Sequence, residues 1–300
     1  MVQISEVSAE EFGNHDTSPI AAQVRVVAEA CGEADGVITL NEQACLQLKY
    51  RGLHEARLWV STSADDTTGF ALLRGEVLDL AVHPSARGAG VGRALAAAAL
   101  STIERVEAWS HGDHPAAARI ADRFAVPRER ELRIMGRPTS LSLPPVITPP
   151  GVTIRTFRPE DEDAVLEVNA LAFAHHPEQG HLAHEDFQER AAESWFDPSG
   201  LLLAVREESG DLLGFHWTKV HRDEDPPYGE VYVVAVNPRS AGIGLGTALT
   251  NAGLHHLARQ GVDEVILYVD GDNAPAIAVY SNQGFRPVRT EVQYRGHPHV

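Results

Sequence analysis

The chain has 300 residues, 43% of them hydrophobic, and a formal net charge of −17 at pH 7. That length sets a prior of about two domains, each with its own core, and the acidity excludes nucleic acid or an anionic membrane as the main partner, because both need a basic face. Cys31 and Cys45 are the only cysteines, so no disulfide framework is implied and a reducing cytoplasm fits. No stretch approaches the ~20 apolar residues of a membrane span, and the polar, acidic residues 1–11 hold no signal-peptide core.

In chain order, helices are expected at residues 24–30 and 41–50, with a loop at 31–40 between them, and strands at 56–61 and 69–73. Across 75–95 a strand runs into a glycine-rich turn and out into a helix. Residues 137–151 carry five prolines, a density that excludes helix interiors and central strands. Residues 141–151 therefore read as a stiff linker between a first domain at 1–140 and a second at 152–300. The second should begin with a strand at 152–157 and a helix opened by Pro159, Glu160 and Asp161 that runs towards Phe173. A loop at 175–181 and a helix at 185–195 follow. Strands at 201–206 and 212–221, joined by a Gly-Asp turn, lead to a strand at 230–236, a helix at 246–260, a strand at 264–269, a helix at 273–283 and a last strand after Gly284 and Phe285. Antiparallel strands followed by βαβα give an α/β fold, a mixed and mostly antiparallel sheet flanked by helices, and the first domain follows the same plan more loosely.

Residues 75–95 align without a gap on 229–249, and eleven of the twenty-one positions are identical. This is an internal duplication. The two turns are Arg87-Gly88-Ala89-Gly90-Val91-Gly92 and Ala241-Gly242-Ile243-Gly244-Leu245-Gly246. Glycine permits positive φ and close approach of backbone to phosphate, and a helix N-terminus offers free N–H groups to a pyrophosphate. Plain turn chemistry accounts for one such turn equally well; the strand–turn–helix context, occurring twice, favours a ligand site. The turn lacks the Gly-Lys-Ser/Thr ending of a P-loop, which argues against nucleotide hydrolysis, and the acidic ribose contact of a dinucleotide fold.

On these residues the chain resembles the GNAT superfamily of N-acetyltransferases, whose signature Arg/Gln-x-x-Gly-x-Gly/Ala binds the pyrophosphate of acetyl-CoA. The first turn matches it fully. The second has Ala241 where Arg or Gln is usual, which keeps the backbone donors and loses one side-chain contact. A further family element, Asn-x-x-Ala-x-x-x-Tyr-x-x-x-Gly-Phe, is present as Asn273, Ala276, Tyr280, Gly284 and Phe285. The tandem arrangement, with His176-Pro177-Glu178-Gln179-Gly180, Trp195-Phe196-Asp197-Pro198 and Gly214-Phe215-His216-Trp217-Thr218-Lys219-Val220-His221, is similar to the mycothiol synthase family. The resemblance implies two tandem GNAT-type domains, acetyl-CoA as acetyl donor, no metal, and a small aminothiol-sugar acceptor. That acceptor is desacetylmycothiol, a cysteine–glucosamine–inositol conjugate acetylated on its cysteinyl amine in the last step of mycothiol biosynthesis. Contacts to acetyl-CoA are implied at Leu80, Ala81, Val82, Arg87, Gly88, Ala89, Gly90, Val91, Gly92 and Arg93 in the first domain. In the second they are implied at Val234, Ala235, Val236, Ala241, Gly242, Ile243, Gly244, Leu245, Gly246, Thr247, Asn273 and Ala276. A monomer is expected.

Glu230 opens an otherwise apolar strand. By itself it reads either as a solvated edge carboxylate or as a general base; amine attack needs a free lone pair, so some base must act, and the resemblance implies that role plus a substrate contact. The side chains of Val234, Ala235 and Val236 read as core, while the resemblance implies that their backbone pairs with the pantetheine arm and that one N–H polarises the thioester carbonyl. Tyr280 reads as helix packing or, as the resemblance implies, as the group that protonates the departing thiolate. Ile120 stands near that place in the first domain, and no tyrosine follows it in that helix.

Similarity to the family assigns Glu42, Glu178, Lys219, Glu230 and Tyr268 to the acceptor; surface charge is the ordinary reading of Glu178 and Lys219, and a helix-dipole acid that of Glu42. His175, His176, His181 and His184 have spacings a metal could use, but no Cys or carboxylate pattern supports one, and a hydrogen-bonding loop is expected there. Glu76 aligns with Glu230. The absent tyrosine and the divergent segment His111-Gly112-Asp113-His114-Pro115-Ala116 nevertheless make the first domain the expected non-catalytic scaffold, its acetyl-CoA site either occupied or vestigial. Two other functions stay open: a GNAT enzyme for a peptide N-terminus or an antibiotic amine, and a non-catalytic acetyl-CoA sensor.

Overall fold

The computed structural model describes residues 3–15, 17–64, 66–174 and 182–300. In chain order the elements are β1 (Gln3–Val7), α1 (Ala9–Phe12), α2 (Pro19–Asp35), α3 (Glu42–Leu46), β2 (Ala56–Ser63), β3 (Asp66–Arg74), β4 (Val77–Val82), α4 (Val91–Leu100), β5 (Val106–Ser110), α5 (Pro115–Arg123) and β6 (Arg128–Pro138). They continue with β7 (Val152–Thr156), α6 (Glu162–Ala172), α7 (His184–Ala191), β8 (Leu201–Arg206), β9 (Leu212–His221), β10 (Tyr228–Val236), α8 (Leu245–Arg259), β11 (Glu264–Asp270), α9 (Ala274–Asn282) and β12 (Arg286–Gly296). Helix α2 is longer than expected and takes in part of the predicted loop at 31–40. The Ser18 side chain accepts from the Ala21 N–H, Pro19 sits in the first turn, and Gly36 at φ +67° ends the helix in the left-handed region. These caps act at a distance from the apolar stripe that periodicity reads.

Two compact units divide the chain: residues 1–132 with 289–300, and residues 133–288. Their bounds fall elsewhere than the proline-rich segment suggests. Residues 133–151 lie in the second unit, where the buried Arg137 guanidinium donates to the carbonyls of Pro138, Leu141 and Ser142 and, at 2.7 Å, to that of Gln283. The C-terminal residues complete the first unit, where Val292 and Tyr294 pack with Phe124, Val126 and α4.

In unit 1 the strand order is β1-β2-β3-β4-β5-β12, antiparallel except for the parallel pair β4–β5. Helices α4 and α5 pack on one face, α1, α2 and α3 on the other. In unit 2 the order is β7-β8-β9-β10-β11-β6, with β10–β11 parallel and the pairs from β7 to β10 antiparallel. Helices α8 and α9 cover one face, α6 and α7 the other. Both are α/β units around a mixed, mostly antiparallel sheet. Side chains such as Leu95, Phe70, Leu249 and Phe215, fully buried, contribute ~1.5–3 kcal/mol each to holding helices on sheet. No described helix is long and apolar enough to cross a membrane.

Candidate active site

The centre of unit 2 is a parted pair of strands. β10 and β11 are in register only from Gly229, Glu230 and Val231 to Val265, Ile266 and Leu267. Beyond Val231 the β11 side of β10 has no ladder partner, so its N–H and C=O groups need another one. A β-bulge at Tyr232 contributes to the parting: Val231 faces Thr218 of β9 while Val233 faces Trp217, leaving Tyr232 as the extra residue. The bulge also shifts the alternation of side chains. Val231 and Val234 pack towards α8, whereas Tyr232, Val233 and Ala235 pack towards α6.

At the end of β10, the Asn237 side chain accepts from the Arg239 N–H, turning the chain into the glycine segment. Gly242 and Gly244 have φ of +83° and +85°, and a Cβ at either would meet nothing within 4 Å. Glycine is required there by conformation, and the space beyond is open. Gly244 is the N-cap of α8 and no side chain caps the helix, so its first N–H groups are available to an anion. They border a cavity of about 320 Å³ lined by Val234, Val236, Ala241, Gly242, Gly244, Leu245, Gly246, Thr247, Ala276 and Tyr280, all expected site residues, together with Thr250 and Val279.

Among the other expected residues, Ala235 is buried on the opposite sheet face, Ile243 is exposed outside the lining, and Asn273 is the N-cap of α9, accepting from the Ala276 N–H at 3.2 Å. The Tyr280 ring packs edge-on to Phe285 with centroids 5.9 Å apart. Burial raises the Tyr280 phenol above its ordinary value, which keeps the hydroxyl protonated and able to donate.

The opposite sheet face carries the charged groups. Glu230 is buried, and its Oε2 lies 2.6 Å from His221 Nε2. Lys219, cross-strand from Glu230, holds its ammonium 4.4 Å from the Trp195 ring centroid and 5.4 Å from that of Tyr232, a cation–π arrangement. Arg190 donates to the Tyr232 hydroxyl at 2.9 Å. Tyr268, two residues after the Ile266 partner of Glu230 in β11, lies on the same face by the strand period. Glu178, with His175, His176 and His181, lies outside the described residues. His184 is described, 2.9 Å from Glu162 and 3.2 Å from Asp163. Glu42 opens α3 in unit 1, one residue after its Asn41 cap.

Residues 166–285 match the Acetyltransferase (GNAT) family. A Mycothiol acetyltransferase of Nocardioides sp. is 48% identical over 293 residues, covering 92% of this chain and 97% of that one. Another, of Thermobispora bispora, is 49% identical over 283 residues, covering 91% and 94%. The chain belongs to the mycothiol acetyltransferase family of GNAT proteins. Its fold is similar to a tandem GNAT protein from the clavulanic acid biosynthesis pathway (TM-score 0.73, 20% identity, 99% of this chain and 98% of that one). It is also similar to a GCN5-related N-acetyltransferase from Sphaerobacter thermophilus (TM-score 0.68, 24% identity, 100% and 97%).

Within this acetyltransferase the first glycine turn has a different surrounding. Gly88 and Gly90 keep φ of +78° and +86°, and β4–β5 pairing is confined to Val77 and Glu107. Arg87, however, is bound within unit 1. It donates to both Asp35 oxygens, at 2.7 and 2.8 Å, and to the Val82 carbonyl, and it holds the Asp35 carboxyl below the usual range. Cys31 Sγ also reaches the Val82 carbonyl, at 3.2 Å, and burial raises its thiol. A Cβ on Gly92 would lie 3.3 Å from Ile120 and 3.4 Å from Val82, with Leu80 at 3.8 Å; at the aligned Gly246 the sole neighbour within 4 Å is Val236, at 3.7 Å. Ile120 thus packs into the place that is open in unit 2.

Residues not singled out for a role beforehand are His221, Trp195, Tyr232 and Arg190. The spacing of Lys219 and His221 on a strand puts both on one face, a signal present in the sequence. Their partners required the β9–β10 register.

Proposed function

We propose that unit 2 transfers the acetyl group of acetyl-CoA to the cysteinyl amine of desacetylmycothiol, in the cytoplasm. The observation that carries this is the cavity at the uncapped N-terminus of α8 together with the buried Glu230 on the other face of the same parted strand. The donor supplies a thioester-activated acetyl group, and the residues present fit it. The open glycine turn and the α8 N–H groups bind the pyrophosphate. The stretch Val234, Ala235 and Val236, paired with β9 but not with β11, offers backbone on its β11 side to the pantetheine arm, and an N–H group there stabilises the charge that develops on the thioester oxygen. Glu230 accepts the proton of the acceptor ammonium, freeing the lone pair. Tyr280 donates its phenolic proton or a hydrogen bond to the departing thiolate. Lys219, Tyr268, Glu42 and Glu178 bind the sugar–inositol–cysteine acceptor, and the family relationship supports that set.

Unit 1 is proposed to be non-catalytic: its turn keeps the glycine conformation, yet Ile120 packs against Gly92 where the ground beside Gly246 is open, and the Arg87 guanidinium is taken up by Asp35. Purified protein mixed with acetyl-CoA and desacetylmycothiol tests the reading. N-acetylated product resolved chromatographically from free CoA, and lost in Glu230→Gln, is expected. Turnover only with other amines would overturn the acceptor assignment.

A further inference from the structure

Among the described residues one oxygen of Glu230 is engaged and the other is free. Oε2 meets His221 Nε2 at 2.6 Å, and Oε1 has no hydrogen-bond partner among the described residues. An ionised carboxylate can only accept, so in this contact Nε2 carries the hydrogen and donates it to Oε2. The imidazole is itself held: the Tyr228 ring stacks on it with centroids 4.3 Å apart and planes 19° from parallel. Tyr228 and His221 face each other across the β9–β10 register, so two strands fix the ring and the ring fixes the carboxylate.

We propose that His221 is a positioning residue for the base of this reaction. The proposal rests on the reading of Glu230 as that base. The terminal torsion of a glutamate is broad and roughly two-fold, so an untethered carboxylate would present either oxygen in many orientations. A short hydrogen bond to Oε2 removes that freedom and turns Oε1 to the amine. In the step, the acceptor N–H bond breaks and an O–H bond forms at Oε1, while His221 keeps its hydrogen throughout and no bond to it is made or broken. Lys219, from the register position opposite Glu230, does not replace this tether, because its ammonium lies over the Trp195 ring.

A double-mutant cycle at saturating acetyl-CoA tests this. Glu230→Gln is expected to lose about 100-fold or more in kcat. His221→Leu should lose roughly 10- to 100-fold in kcat, with the KM for acetyl-CoA unchanged within about two-fold. His221→Gln, whose amide N–H can still donate to Oε2, should recover most of that loss. In the Glu230→Gln background His221→Leu should cost less than about two-fold more, since it acts only through Glu230. Full activity of His221→Leu, additive losses in the double variant, or a parallel rise in the KM for acetyl-CoA would each overturn the proposal while leaving the base in place. An active Glu230→Gln would remove the base reading and the proposal together. His221→Ala repeats the cycle should the leucine variant not fold.

Discussion

Two copies of one strand–turn–helix motif, alike at eleven of twenty-one positions, stand in different surroundings. In unit 1, β3 and β4 close on a tight turn at Gly75 and Glu76, and Glu76 is 57% exposed near Arg105. In unit 2 the corresponding strands run on to His221 and Tyr228, so Glu230 falls inside a ladder and is buried against an imidazole. In unit 1 the helix after the parallel strand places Ile120 against Gly92; in unit 2 it leaves the ground beside Gly246 open and puts Tyr280 at its edge. The glycine turn preserves a backbone conformation. What that turn can do is decided by the helix and hairpin packed around it.

The comparison breaks most sharply at the two glutamates. Glu230→Gln should reduce kcat/KM for the acceptor by roughly 10²–10⁴-fold, and Glu76→Gln should leave it within about two-fold; equal losses in a steady-state assay would make the units functionally equivalent.

A second difference concerns acid stability. His216 is wholly buried under α8, its Nδ1 2.9 Å from the Leu249 carbonyl, whereas Ala71 holds the matching register position in unit 1. Burial, with a smaller contribution from the charge of His256, lowers the His216 imidazole from 6.5 to about 4. Below pH 6.5 the unfolded chain therefore binds a proton that the folded one does not, and stability falls as pH falls. The loss reaches about 3 kcal/mol by pH 4. Chemical denaturation at pH 7 and pH 4.5 should show a smaller difference for His216→Leu than for wild type; an unchanged difference would rule out this histidine as a source.

Tyr280→Phe should lower kcat by about 10-fold or more with little change in acetyl-CoA affinity, and Ile120→Ala in unit 1 should leave kcat unaltered.

The smallest effect separates conformation from binding. Gly90→Ala and Gly244→Ala each force a Cβ into the left-handed region and should cost ~1–2 kcal/mol of stability, but calorimetry with acetyl-CoA should show weakened binding only for Gly244→Ala.

Much of the fold is legible in local pattern. The short apolar runs from Leu201 to Arg206 and from Leu212 to His221, on either side of a Gly-Asp turn, mark β8 and β9 at their observed bounds, because a strand buried on both faces reads as a continuous apolar run bounded by turn residues. Asn273 and Gly284 bracket α9 for the same local reason: a side-chain cap begins it, and a glycine at φ +92° follows its end. The site was only partly legible. Gly242 and Gly244 announce the turn, but the bulge at Tyr232 is an irregularity of pairing between two strands, and no residue in β10 marks it. His221 was hidden for a similar reason, since its partner is nine residues away across a hairpin whose register is set by the whole sheet.

The duplication, the α/β character, the two glycine turns and the presence of Glu230 and Tyr280 were fixed by residue type and spacing along the chain. Tertiary structure alone decided that residues 289–300 complete unit 1, that Ile120 fills one turn while the other opens on a cavity of about 320 Å³, and that Glu76 is exposed while Glu230 is buried with His221. Those outcomes depend on which distant segments meet. That is settled by burial and backbone pairing summed over the sheet, which a local pattern does not contain.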